Sequence, residues 1–156
     1  MKQGHKVTVV TESLSSNQLT DEEIEGMRVV RIDVGKDDFF KKFRIWWWLW
    51  KHRMLIEETD IVHCHDVFFW YLPFRVLYPK KPVYTTFHGY ETKFPPAKKA
   101  IMVRKLSEKL SWGNICVGNY IAKWYGTKPT FIMYGGVAND EIRNPKSEIR
   151  SKFKIQ

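Results

Sequence analysis

Short β-branched runs alternate with longer stretches of helical spacing along most of the chain. Residues 5–11 (HKVTVVT) form the first run, bounded by Gly4 before it and a polar stretch at 13–18 after it. Residues 27–34 (MRVVRIDV) form the second, stopped by Gly35. Residues 61–65, 82–87 (PVYTTF), 114–117 and 130–134 complete six predicted strands. Between them, helical patterns cover residues 39–58, 67–78 (interrupted by Pro73), 97–110 and 119–125. In the third of these, Ile101, Met102, Leu106 and Leu110 recur at helical spacing. Asn119 reads as the N-cap of the fourth and Gly126 as its terminator. Strands that alternate with helices, and are themselves nearly all apolar, predict an α/β fold. Its mostly parallel sheet would be covered by helices on both faces. No internal repeat or low-complexity segment interrupts the pattern.

The two ends depart from it. A doubly wound sheet ordinarily opens with a strand and a Gly-rich turn feeding a helix. Here Met1-Lys2-Gln3-Gly4-His5 reads as the tail of a helix running into a strand, and residues 148–156 are charged with no strand to join. The expectation is one domain over residues 1–145 that lacks its first βα unit, followed by the start of an interdomain linker over 146–156. Cys64 and Cys116 both fall inside predicted strands, which suits packed thiols in a reducing compartment better than a disulfide framework. No signal peptide precedes residue 20, and no apolar run reaches the roughly 18 residues needed to span a bilayer. Cytoplasmic placement is expected.

Charge changes the picture because it is uneven. Residues 1–38 carry five basic and eight acidic side chains, so the remainder holds 21 basic against nine acidic and a net +12. A basic excess confined to part of a chain points to an anionic partner, the alternative being a solvated lysine-rich surface. Residues 39–55 (FFKKFRIWWWLWKHRML) concentrate both the charge and the rings. On a helical wheel Phe39, Phe43, Trp46, Trp47, Trp50 and Met54 fall on one face, the pattern of a core-facing stripe. Lys41, Lys42, Arg44, Lys51 and Arg53 lie on the other side, interleaved with Ile45, Trp48 and Leu49. A helix that keeps apolar groups among its cations suits the headgroup boundary of a membrane, peripheral on its cytoplasmic face. Each cation near an anionic bilayer contributes about 1 kcal/mol, enough for reversible association. The competing reading is a helix buried against the sheet, its excess aromatic surface covered by a neighbouring domain.

Candidate chemistry gathers at strand ends, where open parallel sheets bind ligands. His63 and His65 share one face of a strand and Cys64 the other. Two histidines at that spacing need a third and fourth ligand to hold zinc, and no second pair has convincing spacing, so no metal is expected. His65 and Asp66 instead fall beyond the carboxyl end of their strand. His88-Gly89-Tyr90-Glu91 directly follows PVYTTF, with Gly89 permitting a tight turn or close ligand approach and His88 placed to hydrogen-bond an occupant. Tyr134-Gly135-Gly136-Val137 is a third strand end at which backbone N–H groups can approach a ligand, or a simple turn.

In this order the segments resemble the N-terminal domain of the family 4 glycosyltransferases, which have the GT-B architecture. Gly4-His5-Lys6-Val7-Thr8-Val9-Val10-Thr11 is similar to the family's second strand, and Asp60-Ile61-Val62-His63-Cys64-His65 to its Asp-hydrophobic-hydrophobic-His-x-His strand. Residues 82–89 resemble the strand ending in the acceptor-site histidine, here His88. Residues 115–121 (ICVGNYI) resemble a segment that usually has Ser at the position of Gly118. Tyr134-Gly135-Gly136-Val137 resembles an Asn-Gly-Val-Asp turn, with Gly135 in place of Asn. The resemblance implies a Rossmann-like half of a two-domain enzyme that transfers a sugar from a nucleotide-sugar to an acceptor, retaining configuration without a bound metal. It implies that His88 contacts the transferred sugar or positions the acceptor. His65, Asp66, Gly89, Tyr90, Glu91, Asn119, Gly135 and Gly136 would line the acceptor side. No cofactor is expected on this chain. The nucleotide-sugar would be held by a donor-binding C-terminal domain, missing or on another chain. The aromatic, basic helix would dock the enzyme where a lipid-linked acceptor lies, through Lys41, Lys42, Arg44, Trp46, Trp47, Trp48, Trp50, Lys51 and Arg53. Negligible activity is expected of the chain in isolation, because stabilisation of the leaving diphosphate resides in the other half.

Two other readings compete. Interleaved Trp and Lys can bind single-stranded nucleic acid, but the cations cluster on a predicted helix and no RNA-binding strand motif is present, which counts against it. The ends also fit a non-catalytic remnant or adapter from a split gene.

Overall fold

Two consecutive residues with positive φ, Glu25 at 51° and Gly26 at 77°, organise the first part of the chain. This is the conformation of a tight hairpin turn whose twist matches right-handed strands. It joins β2 (Asp21–Ile24) to β3 (Met27–Ile32) in antiparallel pairing, Ile24 opposite Met27. β1 (Thr8–Glu12) pairs with β3 in parallel, Thr8 opposite Arg28, giving the order β1-β3-β2. β2 lies outside the strands expected from the pattern. Its sequence, DEEI, is of a composition depleted in strands. Hairpin closure and charge pairing carry it instead: Arg28 donates to Asp21 at 2.6 and 3.1 Å, and Arg31 pairs with Glu22.

The computed structural model describes residues 4–13, 18–89 and 94–134. The expected boundary at 145 and 146 lies outside them. The chain divides between Tyr84 and Thr85 into two compact units. In the first, α1 (Lys41–Lys51) and α2 (Met54–Glu57) replace the single helix expected over 39–58. The break falls at His52, whose ring stacks on Trp48 with centroids 3.9 Å apart and whose Nδ1 lies 2.8 Å from the Trp48 carbonyl. The wheel reading of this segment is reversed. Ile45 and Leu49 of α1 and Ile56 of α2 are buried, whereas Phe39, Phe43, Trp47, Trp50 and Met54, expected to face the core, are exposed. Slim aliphatic chains four residues apart fill a close helix contact, and a row of bulky rings would overfill it.

α1 packs on α3 (Phe68–Leu77), which runs straight through Pro73. Proline has no N–H, so the carbonyl four residues earlier, that of Phe69, loses its helical donor. The indole N–H of Trp46 replaces it at 3.0 Å. A proline inside a helix is thereby satisfied by a side chain from its neighbour.

β4 (Val62–His65), β5 (Val83–Phe87), β6 (Gly113–Val117) and β7 (Phe131–Met133) form a sheet in that order, parallel throughout. With helices between its strands, the fold is the α/β arrangement the pattern predicts. In the second unit, α4 (Lys98–Leu110) and α5 (Asn119–Tyr125) surround a core of Phe87, Cys116, Ile121 and Tyr125, with Ala100, Ile101 and Val117 packed on it. α4 buries only part of its apolar pattern: Ile101 packs on this core and Leu110 is half-buried. Met102 and Leu106 are exposed, and Arg104 and Ser107 are buried. Small side chains at 100 and 107, on the same helix face, leave room for the flat guanidinium. The cap of α5 also differs: Gly118, at φ 93° and ψ 151°, occupies the N-cap, and Asn119 is the first helical residue. Gly126 ends the helix in the left-handed conformation, as expected.

Candidate functional site

In the second unit, β5 ends at Phe87, and His88 follows it with an exposed side chain. The backbone beyond the strand is held from two directions. The Tyr120 hydroxyl donates to the His88 carbonyl at 3.0 Å, and Arg104 Nη2 donates to the Gly89 carbonyl. Arg104 is 2% exposed, and its guanidinium carbon lies 5.0 Å from the centre of the Phe87 ring and 4.1 Å from that of Tyr125. Two rings near a buried cation substitute in part for lost water, and a guanidinium is more weakly hydrated than an ammonium. Gly89 has no described atom within 4 Å of where a Cβ would stand, so the chain's own packing does not demand glycine there. Asn119 is exposed at the start of α5.

In the first unit, His63 and His65 project from the same face of β4 with ring centres 4.4 Å apart, as alternation predicts. Cys64 points the other way and is buried, and burial pushes its thiol up to about 12. Asp66, directly after the strand, takes φ 58°, a left-handed conformation that aspartate tolerates better than most residues. The Val67 N–H closes this turn on the His65 carbonyl at 2.7 Å. Among the described residues no group of three or more His, Cys, Asp and Glu could hold a metal ion.

The cations assigned to the aromatic helix divide into two sets. Lys41 pairs with Glu12 at 2.9 Å and with Asp37 at 3.3 Å. Arg44 folds back onto the loop after β3, donating to the Val34 carbonyl at 2.7 Å, to the Lys36 carbonyl and to Asp38 at 2.9 Å. Lys42 and Lys51 instead lie over outward rings, Lys42 4.5 Å from the centre of Phe39 and Lys51 5.2 Å from Trp47, while Arg53 lies 5.9 Å from Trp50 and also pairs with Glu57 at 3.5 Å. Trp46 is committed to the Phe69 carbonyl and Trp48 to His52. The outward aromatic patch is therefore Phe39, Phe40, Phe43, Trp47 and Trp50, with Trp47 60% exposed. Among the described residues no helix is long and apolar enough to cross a membrane.

Tyr90, Glu91, Gly135 and Gly136 lie outside the described residues. Sequence reasoning missed Arg104 and Tyr120. The available signal for Arg104 was a stripe of small residues, Ala97, Ala100, Ser107 and Ser111, with one long side chain in its middle. Nothing local marked Tyr120, whose bond to His88 spans 32 residues. Compared with known families, the chain matches Glycosyltransferase Family 4 over residues 1–137. No curated protein and no solved structure matches it.

Proposed function

Because the chain belongs to glycosyltransferase family 4, we propose that it serves transfer of a sugar from a nucleotide-sugar to a lipid-linked acceptor, and that this domain supplies the acceptor side. The observation that carries the reading is an exposed histidine directly beyond the carboxyl end of a parallel strand, its backbone held by Tyr120 and Arg104. An imidazole so placed can hydrogen-bond a hydroxyl of the transferred sugar or of the acceptor. Glycine at 89, which the described packing does not require, leaves backbone open to close approach. His65, Asp66 and Asn119 are further acceptor-side residues under the family's pattern, together with Tyr90, Glu91, Gly135 and Gly136.

The test is transfer of radiolabel from a panel of nucleotide-sugars to a polyprenyl-lipid extract, by the chain alone and with a family 4 donor-binding domain added. Labelled lipid is expected with the donor domain present, and His88→Ala should lower its rate about 100-fold, the size of effect that misplacing a reacting group produces. Label transfer that ignores His88→Ala would remove His88 from the mechanism. No transfer under any condition would favour a non-catalytic adapter.

Membrane contact belongs to the same proposal. The outward rings of α1 with Lys42, Lys51 and Arg53 form a surface suited to the headgroup boundary, where Trp is favoured. At about 1 kcal/mol per cation, Lys42 and Lys51 would favour anionic over neutral vesicles by roughly 30-fold, and Arg53, which pairs with Glu57, adds less. Sedimentation with phosphatidylglycerol vesicles should show this preference, and Trp47→Ala with Trp50→Ala should abolish it. Equal binding by the wild type and the double variant would show that α1 does not touch the bilayer.

A further inference from the structure

His88 is the first residue beyond β5, so the strand's ladder does not fix its φ. The Tyr120 hydroxyl, bonded to the His88 carbonyl at 3.0 Å, holds the carbonyl carbon in place and with it φ. The Cα–Cβ direction of His88 therefore depends on a residue of α5. Tyr120 can lie there because residue 118 is glycine. A Cβ at 118 would stand 2.9 Å from Cε1 and 3.0 Å from Cδ1 of the Tyr120 ring, closer than carbon atoms approach without displacement. Gly118 also holds φ 93°, a conformation costly for any other residue. One glycine thus does two things at the N-cap of α5: it takes the backbone turn, and it clears the volume through which the phenol reaches His88.

We propose that Tyr120 is a positioning residue for His88 and that Gly118 is what allows it to act. Arg104, on the Gly89 carbonyl, is the second anchor of the same segment. The inference rests on His88 being the residue that meets the sugar, and its test reads the segment directly, so that the two ideas fail separately.

The 156-residue chain is labelled with 15N and 13C, and the backbone order parameter of Gly89 and the His88 carbonyl resonance are followed. In the wild type the Gly89 order parameter is expected near about 0.85, the value of rigid backbone. Tyr120→Phe removes only the hydroxyl. It should lower that value towards about 0.6 and move the His88 carbonyl resonance to its unbonded position. Gly118→Ala should do the same by displacing the ring, and combining it with Tyr120→Phe should add nothing. In the transfer assay Tyr120→Phe should slow turnover about tenfold or more in the wild-type background and have no effect in His88→Ala. An order parameter unchanged by Tyr120→Phe would overturn the proposal even if transfer depends on His88. A segment that loosens while transfer proves absent would leave Tyr120 as the anchor of His88 and sink the sugar-transfer reading instead.

Discussion

Arg44 and Arg104 solve the same problem in two different environments. Each sits on a helix and reaches back to backbone carbonyls just beyond a strand, Arg44 to Val34 and Lys36 after β3, Arg104 to Gly89 after β5. Arg44 works in the open: its side chain is 38% exposed and it shares Asp38 as a carboxylate partner. Arg104 is buried, with the rings of Phe87 and Tyr125 near its guanidinium. A guanidinium can therefore order a loop either through charge pairing in water or through hydrogen bonding and ring contact inside the protein. The two devices should answer differently to truncation, salt and pH, because solvent screens the first and not the second.

The buried arginine should give the largest effect. Removing a charge-assisted bond inside the protein costs about 1.5–3 kcal/mol, and a desolvated cation–ring contact adds about 2 kcal/mol. Part of that is offset because no cation then needs burying. Arg104→Ala is expected to destabilise by about 3 kcal/mol, a fall in Tm of roughly 6–12 °C by calorimetry. The loss should be the same at low salt and in 1 M NaCl. Arg104→Lys should recover only a fraction of it, since an ammonium is more strongly hydrated and lacks the planar face that suits aromatic rings. Full recovery by lysine would mean that charge, and not the planar face, is what the site uses, and the contrast with Arg44 would narrow to burial alone.

What was legible in the sequence follows the same division. Runs of β-branched and aromatic residues announced β1, β3, β4, β5, β6 and β7, because these residue types suit a pleated, half-buried surface. β2 was not legible, since its acidic residues are held by arginines of the neighbouring strand, a pairing visible only once the hairpin is closed. The inward face of α1 was misread, and the buried arginine of α4 missed, for one reason. Hydrophobic spacing counts Trp and Met as inward and Arg as outward, whereas the contact surfaces accept Ile45, Leu49 and a flat guanidinium. Pro73 looked like an interruption, and the Trp46 indole that repairs it comes from another helix. At the candidate site, the positions of Asp66 and His88 directly beyond their strands followed from the strand pattern, whereas His65, expected beyond its strand, is the last residue of β4. The groups that hold His88 did not, because they come from 15 and more residues further along the chain.

The smallest effect, and the one that separates the two arginines most cleanly, is titration of Asp38. The hydrogen bond from Arg44 is the main cause holding its carboxyl below the ordinary value of 3.8, and the N–H of Phe40 adds to it. A carboxylate whose pKa is lower in the folded protein than in the unfolded chain stabilises the fold fully above the unfolded value, and that contribution is lost as pH falls through the folded one. Asp38→Asn keeps an oxygen for the Phe40 N–H and removes only the charge. At pH 7 and low salt the variant should melt slightly below the wild type, and the gap should close in acid, below the ordinary carboxyl range, as the wild-type carboxyl protonates. In 1 M salt, where the screening length is about 3 Å, the gap should shrink at every pH. Arg104 holds Gly89 through a backbone carbonyl, which does not titrate, so the part of the Arg104→Ala deficit that comes from that bond should keep its size across the same acid range. If the Asp38→Asn gap survived in acid, or the Arg104→Ala deficit closed with it, the two loops would be held by one kind of force and the distinction between them would collapse.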